Sequence, residues 1–288
     1  MNTDQSLRNR VLNEMLVWIE GNLDKPLSLD LLANRSGYTK WYLHRIFKEY
    51  TGLSLGEYCK LRRLSRSAVL LMLTQTRIVD IANELCFTST QAFSRAFKSQ
   101  FSKTPNAFRL SDTWDIRGFC GPHHNMRELM PTPQILDLKS INVVGIGYEL
   151  SCKVEEETKF DFSIRESLLE RKTAKSTNNI IIGLVDYVSS GDKINYRIKY
   201  TAASLISENS ANTKSESIIN VSGGKYAKFE YVGSSEGMKD FIYKIYTAYL
   251  PAQHIIRRKG IDVEMYQRQS KKIKKSGMIS LWYFIPIL

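Results

Sequence analysis

Side chains suited to contacting nucleic acid recur in two stretches of this sequence, about fifty residues apart. The guanidinium groups of Arg45 and Arg95 match guanine in the major groove, and the carboxamide of Gln91 matches adenine. The imidazole of His44 can donate to or accept from a base edge, and Trp41 offers an apolar contact to a thymine methyl group or a sugar. These residue types predict a surface that reads base pairs.

The other members of this predicted surface are basic or carry hydroxyl groups. Lysine side chains suit phosphate oxygens, and the hydroxyl groups suit either phosphates or base edges. For any single residue, a solvated surface side chain is the plainer interpretation, so the prediction depends on the set. The full set is Lys40, Trp41, His44, Arg45, Lys48, Ser89, Thr90, Gln91, Ser94, Arg95 and Lys98.

The first stretch is typical of a helix-turn-helix unit. Ser28 is placed to cap a short helix that ends near Gly37, where glycine permits a sharp turn. Thr39 is placed to cap a second helix, with Leu43 and Phe47 among its inward residues. In such a unit the second helix enters the DNA major groove.

The second stretch repeats this pattern. Ala33-Asn34 matches Ala82-Asn83 at a shift of 49 residues, and Arg45-x-Phe47-Lys48 matches Arg95-x-Phe97-Lys98 at a shift of 50. Thr88 or Ser89 is expected to cap the second helix of this unit. A bundle duplicated only for packing is the alternative, but packing does not explain the matching outward Arg and Lys.

The spacing of the two units also favours DNA. The helix expected between them, from Ser54 to about Leu73, has about 19 residues, so it is ~28 Å long at ~1.5 Å per residue. Successive major grooves on one face of DNA lie ~34 Å apart. One chain is therefore expected to reach two grooves as a monomer.

A second candidate site lies near the end of the sequence. In the expected strand IDVEMYQR, Asp262, Glu264 and Tyr266 alternate with apolar residues. A carboxylate at Glu264 with Tyr266, Trp282 and Tyr231 around it is predicted to attract a lipophilic cation through charge and cation–π contact. A surface glutamate on a half-exposed strand is the alternative.

The elements around Glu264 predict a different fold from the helical N-terminal half. From residue 132 to residue 288, strand, helix, strand, strand occurs twice, which predicts a duplicated α+β unit with a central antiparallel sheet. The fold class is therefore multidomain, with an all-α double helix-turn-helix domain over residues 1–111 followed by the α+β domain.

Residues 112–131 are rich in Gly, Pro and polar residues and are expected to form a linker. Cys120, His123 and His124 lie there, but they supply at most three ligands with no second cluster nearby, so no metal or other cofactor is predicted. The lysine run at residues 271–275 is expected to be a solvated hairpin loop, with a second nucleic-acid contact as the alternative.

Composition is consistent with this organisation. The 288 residues suffice for two domains, and the net charge of +12 favours a polyanionic partner. Four widely spaced cysteines and an N-terminus without a signal pattern predict a cytoplasmic protein with reduced thiols. No apolar stretch approaches ~18 residues, so no membrane partner is expected.

Residues 8–111 resemble the AraC family of transcription regulators. The resemblance is carried by GYTKWYLHRIFKEYTGLSLGEY and by IVDIANELCFTSTQAFSRAFKSQFSKTPNAFR, with its closing TPxxFR. Residues 132–288 resemble the GyrI-like effector domain through GGKYAKFEYVG, the helix after it and the D-x-E-x-Y strand. This order of domains is similar to the Rob-type subgroup.

The resemblance implies an activator that binds asymmetric promoter sites as a monomer, contacts RNA polymerase and serves drug-efflux or stress-tolerance promoters. It also implies that Glu264 is the pocket carboxylate for a small amphipathic or cationic ligand. His44 and Thr90 depart from the glutamine usual in close relatives. The competing hypotheses are a ligand-sequestering protein and, since no nucleophile–base–acid set is present, more remotely a hydrolase with Glu264 as general base.

Overall fold

A computed structural model describes residues 3–123, 132–153, 162–175, 180–189, 195–206, 216–267 and 278–288. The N-terminal part is helical. Its helices are α1 (Thr3–Glu20), α2 (Leu29–Ser36), α3 (Lys40–Thr51), α4 (Leu55–Leu73), α5 (Ile78–Glu84), α6 (Thr90–Phe101) and α7 (Pro105–Arg109).

Capping side chains begin several of these helices, among them the expected Ser28, Thr39 and Ser89. Ser28, Thr39, Ser89 and Thr104 each accept a hydrogen bond from a backbone amide in the first turn, which satisfies one of the donors left free at a helix start. Ser54 forms a reciprocal capping box with Glu57. These caps fix where each second helix begins, and so which of its side chains lie outward.

Two separate cores support the two helix-turn-helix units. The first is built on α1 and includes Leu16, Leu43 and Phe47, while the second includes Phe93 and Phe97. The single helix α4 contributes to both cores and joins the units, as the sequence predicts. Its 19 residues span ~28 Å at ~1.5 Å per residue.

The C-terminal part is an antiparallel sheet with helices against one face. Its elements are β2 (Gln134–Leu138), β3 (Ile141–Lys153), α8 (Phe162–Lys175), β4 (Ile180–Ser189), β5 (Asn195–Leu205), β6 (Ser217–Val221), β7 (Gly224–Ser234), α9 (Gly237–Lys244), α10 (Leu250–Ala252), β9 (Asp262–Gln267) and β10 (Met278–Pro286). A π-helical turn, Ile245–Tyr249, joins α9 to α10.

The sheet has eight strands in the order β2-β7-β10-β9-β4-β5-β3-β6, and neighbouring strands are antiparallel. The units β3-α8-β4-β5 and β7-α9-β9-β10 confirm the predicted strand-helix-strand-strand duplication. Side chains on one sheet face pack with the helices, and those on the other face form a second cluster.

The segment after α7 packs between the two domains. Its short strand β1 (Thr113–Trp114) pairs with β8 (Arg257–Arg258) of the C-terminal domain. The Gly118 carbonyl accepts a hydrogen bond from Gln100 Nε2 at 2.8 Å. Gly121 lies so close to the Thr247 carbonyl that a Cβ atom there would come within 2.4 Å. We call residues 112–123 the connector, since the rest of the expected linker, 124–131, lies outside the described residues.

Within the described ranges, no helix is long and apolar enough to cross a membrane. The closing apolar segment forms strand β10. Cys59, Cys86 and Cys120 are free thiols, and burial raises the pKa of Cys59 to about 11.

Candidate nucleic-acid interface and buried carboxylate site

The outward face of α3 consists of polar and aromatic side chains. Lys40, Trp41, His44, Arg45 and Lys48 are all exposed, as predicted. The indole of Trp41 is 71% exposed, although burying a large aromatic ring would be favourable. A tryptophan held out on a helix of this kind is suited to a contact with another molecule.

Arg45 does not lie free on this face. Its guanidinium carbon is 5.0 Å from the Trp41 ring centre and 5.3 Å from the Tyr42 ring centre, and its Nε is 3.8 Å from a Glu49 oxygen. Lys40 forms an ion pair with Asp30 of α2. Arg45 and Lys40 are therefore held in place by neighbouring side chains.

The corresponding face of α6 has a different character. Thr90, Gln91, Ser94 and Arg95 together line one shallow concavity, in which Gln91 and Arg95 are exposed. Within the part of the chain that the structure describes, Arg95 forms no ion pair or hydrogen bond. This guanidinium can therefore form both of its bonds with a partner.

The starts of the two second helices are also suited to an anion. The hydroxyl oxygen of Ser89, at the start of α6, accepts the amide of Ala92 at 3.1 Å. Helices α2, α4 and α5 each carry an acidic residue in the first turn, whereas α3 and α6 carry none. A helix N-terminus has a partial positive charge, so α3 and α6 leave it available to a phosphate.

In the C-terminal domain Glu264 is completely buried, with 0% of its surface exposed. Its carboxylate forms an ion pair with Arg165 of α8 and accepts hydrogen bonds from the hydroxyl groups of Tyr200 at 3.0 Å and Tyr266 at 2.7 Å. The prediction that Glu264 is free to bind a cationic ligand is therefore wrong for this structure. The Arg165 guanidinium of the same chain occupies the place where the positive group of such a ligand was expected.

Of the expected aromatic neighbours of Glu264, the structure places one beside it and another on the far face of the sheet. Tyr266 contacts it directly, whereas Trp282 lies on the opposite face of the sheet. The register explains this, because Glu264 pairs with Tyr283 and Trp282 pairs with Met265, and successive side chains alternate between faces. Lys228 lies over the Trp282 ring at 4.0 Å.

Tyr231 lies on the same sheet face as Glu264 but is engaged elsewhere. Its hydroxyl group donates to the Ser234 carbonyl at 2.6 Å, and its ring packs against Phe241 with 4.8 Å between ring centres. These local contacts occupy both its polar and apolar parts.

Arg165 and Tyr200 are the residues that sequence reasoning missed. Tyr200 follows from strand alternation once β5 is known to pair with β4, but that pairing is not visible in the sequence. The sequence indicates Arg165 only weakly, because it is a single basic residue near the start of a helix that contains both polar and apolar residues. Burial raises the pKa of Tyr200, and that of Tyr266 well above its usual range, so both hydroxyl groups stay neutral donors.

A second buried ion pair lies on the same strand. Asp262 is completely buried and accepts hydrogen bonds from Arg257 at 2.8 Å and from the Tyr283 hydroxyl group at 2.8 Å. The Arg257 guanidinium in turn lies 4.2 Å from the Trp114 ring centre. This stack attaches the connector to the C-terminal domain.

A cavity of about 160 Å³ lies between the domains, beside Arg165 and Tyr200. We call it the interdomain cavity. Neither Glu264 nor Tyr231 is among the described residues that line it. Its lining is mostly aromatic and aliphatic and consists of Val69, Met72, Leu73, Trp114, Ile116, Phe119, Arg165, Val185, Tyr187, Ile198, Tyr200, Lys239, Ile242, Tyr243, Tyr246 and Thr247.

Other sequence features have structural surroundings of their own. The His123 ring lies 5.3 Å from the Tyr50 ring centre, and its amide donates to the Tyr58 hydroxyl group at 3.3 Å. No group of metal-ligand side chains that could hold an ion occurs among the described residues. His124 and the lysine run at residues 271–275 lie outside the described ranges.

Paired helix-turn-helix units on one linking helix, followed by a sheet domain, define a two-domain transcription regulator. Comparison with known proteins supports this class. A family model described as a helix-turn-helix domain matches residues 32–111, and one described as an integron-associated effector binding protein matches residues 134–287. The chain belongs to the AraC family of transcription regulators, in its Rob-type branch.

Similar proteins cover both domains or only the first. The chain is 36% identical to the transcriptional regulator Rob of Salmonella typhimurium over 89% of this chain and 90% of that relative. It is 31% identical to the F1 operon positive regulatory protein of Yersinia pestis over 98% of this chain and 89% of the relative. The regulatory protein SoxS of Escherichia coli is 43% identical over 35% of this chain and 94% of its own length.

Proposed function

We propose that this protein is a transcription activator that binds asymmetric promoter sites as a monomer and recruits RNA polymerase. The observation that carries the proposal is the pair of outward faces on α3 and α6, each started by a capped, acid-free first turn. The contacting residues are the eleven predicted from the sequence, with Gln91 and Arg95 as base readers and Lys48 and Lys98 at phosphates.

Similarity to Rob and SoxS supports promoters of drug-efflux and stress-tolerance genes as targets. The F1 operon relative is named a positive regulator, which supports activation over repression. Activation requires a contact with RNA polymerase or a change in promoter structure, and the proposed route is direct recruitment by the DNA-bound chain. The protein is expected to act at the bacterial nucleoid.

The test has two stages with the full chain. Genomic fragments are first selected for binding at fixed salt, because phosphate contacts make affinity depend steeply on ionic strength. The selected promoters are then transcribed with purified RNA polymerase, with wild-type protein and with Arg95→Ala. The proposal predicts more transcript with wild type than with the variant. Equal amounts of transcript in the three reactions, without protein, with wild type and with the variant, contradict the proposal.

A ligand-sequestering protein is the second candidate, and the interdomain cavity is the observation that favours it. In that case binding of toxic compounds in the cavity would by itself raise the tolerance of the cell to them. The helical domain would then have a structural role and would not regulate transcription. The two candidates differ in cells. If the chain is an activator, Arg95→Ala weakens its effect on drug tolerance, whereas a sequestering protein keeps its full effect in that variant.

A further inference from the structure

The two helix-turn-helix units share helix α4 but pack around different apolar cores. Within α4, Tyr58 and Cys59 belong to the core of the first unit, whereas Leu64 and Ala68 belong to the core of the second. A single helix can bend between the two bodies that it joins. Apolar packing within each unit therefore leaves the angle between α3 and α6 adjustable.

The connector is bonded to α4 where one core gives way to the other. The carbonyl oxygen of Cys120 accepts a hydrogen bond from Arg62, whose guanidinium also forms an ion pair with Glu20 of α1. The amide of Cys120 donates to the Ser65 hydroxyl oxygen at 2.9 Å. Arg62 and Ser65 are both buried, so these bonds are shielded from water and hold the connector against the middle of α4.

On either side of Cys120 the connector reaches the second helix of each unit. The Gly118 carbonyl oxygen accepts a hydrogen bond from Gln100 of α6 at 2.8 Å. The His123 ring lies 5.3 Å from the ring centre of Tyr50, which belongs to α3. The connector therefore contacts both of the helices that present side chains to DNA.

The contact between the connector and α6 leaves no room for a side chain at Gly118. A Cβ atom there would lie 2.2 Å from the Gln100 carbonyl oxygen and 3.0 Å from the Phe101 ring. The neighbouring Phe119 ring packs edge-on against Phe101, with 6.0 Å between ring centres. Sliding the connector along α6 would break these contacts.

The C-terminal domain holds the connector from a further side. Thr113 and Trp114 pair with strand β8 of that domain, and Gly121 lies directly against the Thr247 carbonyl. A short segment anchored at so many points has little freedom to move. It can therefore act as a strap between the parts that it touches.

We propose that the connector is a strap that fixes the angle and separation between α3 and α6, and so sets which spacing between two DNA elements the protein accepts. Gln100 and Gly118 are positioning residues in this proposal, because they act on DNA binding through the connector. The proposal rests on the proposed function in one respect, since spacing matters only if one chain contacts both elements.

A change in the spacing of the DNA site tests the proposal on the unmodified full chain. The selected promoter site is prepared as found and with one base pair inserted between its two protected patches. The insertion moves one element by about 3.4 Å and rotates it by about 35°. Wild type should bind the inserted site about tenfold or more weakly, because a fixed pair of helices cannot follow both changes. Equal affinity for the two sites overturns the proposal.

A matched pair of glycine substitutions tests the role of the connector. Gly118→Ala places a methyl group against the Gln100 carbonyl and should lift the connector from α6. This variant should bind the two sites within about threefold of each other, because the loosened units can adapt to the insertion. Gly56→Ala adds the same methyl group on α4 with no atom within 4 Å, so it should keep the wild-type ratio. A wild-type ratio for folded Gly118→Ala contradicts the proposal.

A second pair of variants leaves the backbone of the connector unchanged. Gln100→Met removes the bond to the Gly118 carbonyl but keeps a side chain of similar length, and Ser99→Met places the same side chain at the adjacent exposed position. The first should lower the ratio of the two affinities by about threefold, and the second should leave it unchanged. A general loss of stability would weaken both sites alike, so an unchanged ratio for Gln100→Met shows that Gln100 does not position the connector.

A measurement without DNA separates the failure of this proposal from the failure of the proposed function. Spin labels are introduced at Lys48 of α3 and Ser99 of α6 through noncanonical residues, because the chain has four cysteines of its own. Wild type should give a narrow distribution of label distances and Gly118→Ala a broader one. Equal widths overturn the strap even if two DNA patches are protected. The expected widths with a single protected patch keep the strap, and the proposed contact with two grooves is then lost.

Discussion

Helices α3 and α6 are equivalent elements of a repeat, yet they present their arginines differently. Arg45 on α3 lies against Trp41 and Tyr42 and near Glu49, whereas Arg95 on α6 forms no ion pair or hydrogen bond within the described ranges. The fold repeats the position of the side chain but not its surroundings. We infer that α6 supplies most of the base reading and that α3 presents a stacked, preorganised Trp41–Arg45 pair to sugar, methyl group or phosphate.

The backbone of the two units differs in a parallel way. Gly37 and Gly52 adopt left-handed conformations in the first unit, with φ of 72° and 77°. Cys86 and Ser102 adopt the same conformation at the matching positions of the second unit, with φ of 59° each. Side chains rarely adopt this region, so the second unit carries strain that the first avoids.

The largest expected effect separates the two arginines. Arg95→Ala should cost about 1–3 kcal/mol of specific DNA binding, since a free guanidinium can bond a guanine in two places. Arg45→Ala should cost less, about 1 kcal/mol, because Arg45 also has partners within the chain. Titration at fixed salt measures both.

Arg10→Ala is the control for the two substitutions, because Arg10 lies exposed on α1 and pairs only with Glu14 among the described contacts. Its affinity for the selected site should equal that of wild type. A larger loss for Arg45→Ala than for Arg95→Ala would reverse the proposed division between the helices.

The next largest effect tests the turn of the first unit. Gly37→Ala should lower the free energy of unfolding by about 1–2 kcal/mol, since no atom lies within 4 Å of the added carbon and only the backbone strain acts. Gly56→Ala is the control on α4, also with no atom within 4 Å, and it should be neutral or raise stability by up to about 1 kcal/mol. Denaturant unfolding of both variants measures these changes in the free energy of unfolding. A loss of stability of similar size in both variants would refute the strain argument.

Coupling between Trp41 and Arg45 is expected to be smaller. In a double-mutant cycle on DNA binding, their alanine substitutions should be non-additive by about 0.5–1 kcal/mol, the size of an exposed cation–π contact. Strict additivity would mean that the stacked arrangement does not persist in the complex.

The smallest effect concerns the second unit. Ser102→Gly should stabilise the chain by about 0.5 kcal/mol, because relief of the left-handed strain exceeds the entropy cost of glycine by about this amount. Thermal unfolding of the variant against wild type measures the difference. A loss of stability would show that Ser102 is not strained there.

Local signals explain why most of the helical domain could be predicted. Caps at Ser28, Thr39, Ser54 and Ser89 and the apolar spacing of each helix lie within a few residues of one another in the sequence. The strands and helices of the C-terminal domain were also predictable, because alternation and amphipathic spacing are local patterns.

The surroundings of Glu264 could not be predicted, because they depend on pairs of residues far apart in the chain. Trp282 was assigned to the wrong face because one residue of register moves a side chain across the sheet. Arg165 lies 99 residues before Glu264, and only the position of α8 against the sheet brings them together. The cavity needs both domains, so neither half of the sequence indicates it.

A footprint of the complex on a selected promoter tests the central claim most directly, with the number of chains per DNA measured in the same sample. The account predicts one chain per site and two protected patches on one DNA face about one helical turn apart. Arg95→Ala should weaken one patch selectively and Arg45→Ala the other. A single protected patch, or two bound chains for the two patches, would contradict the claim that one chain contacts two successive major grooves.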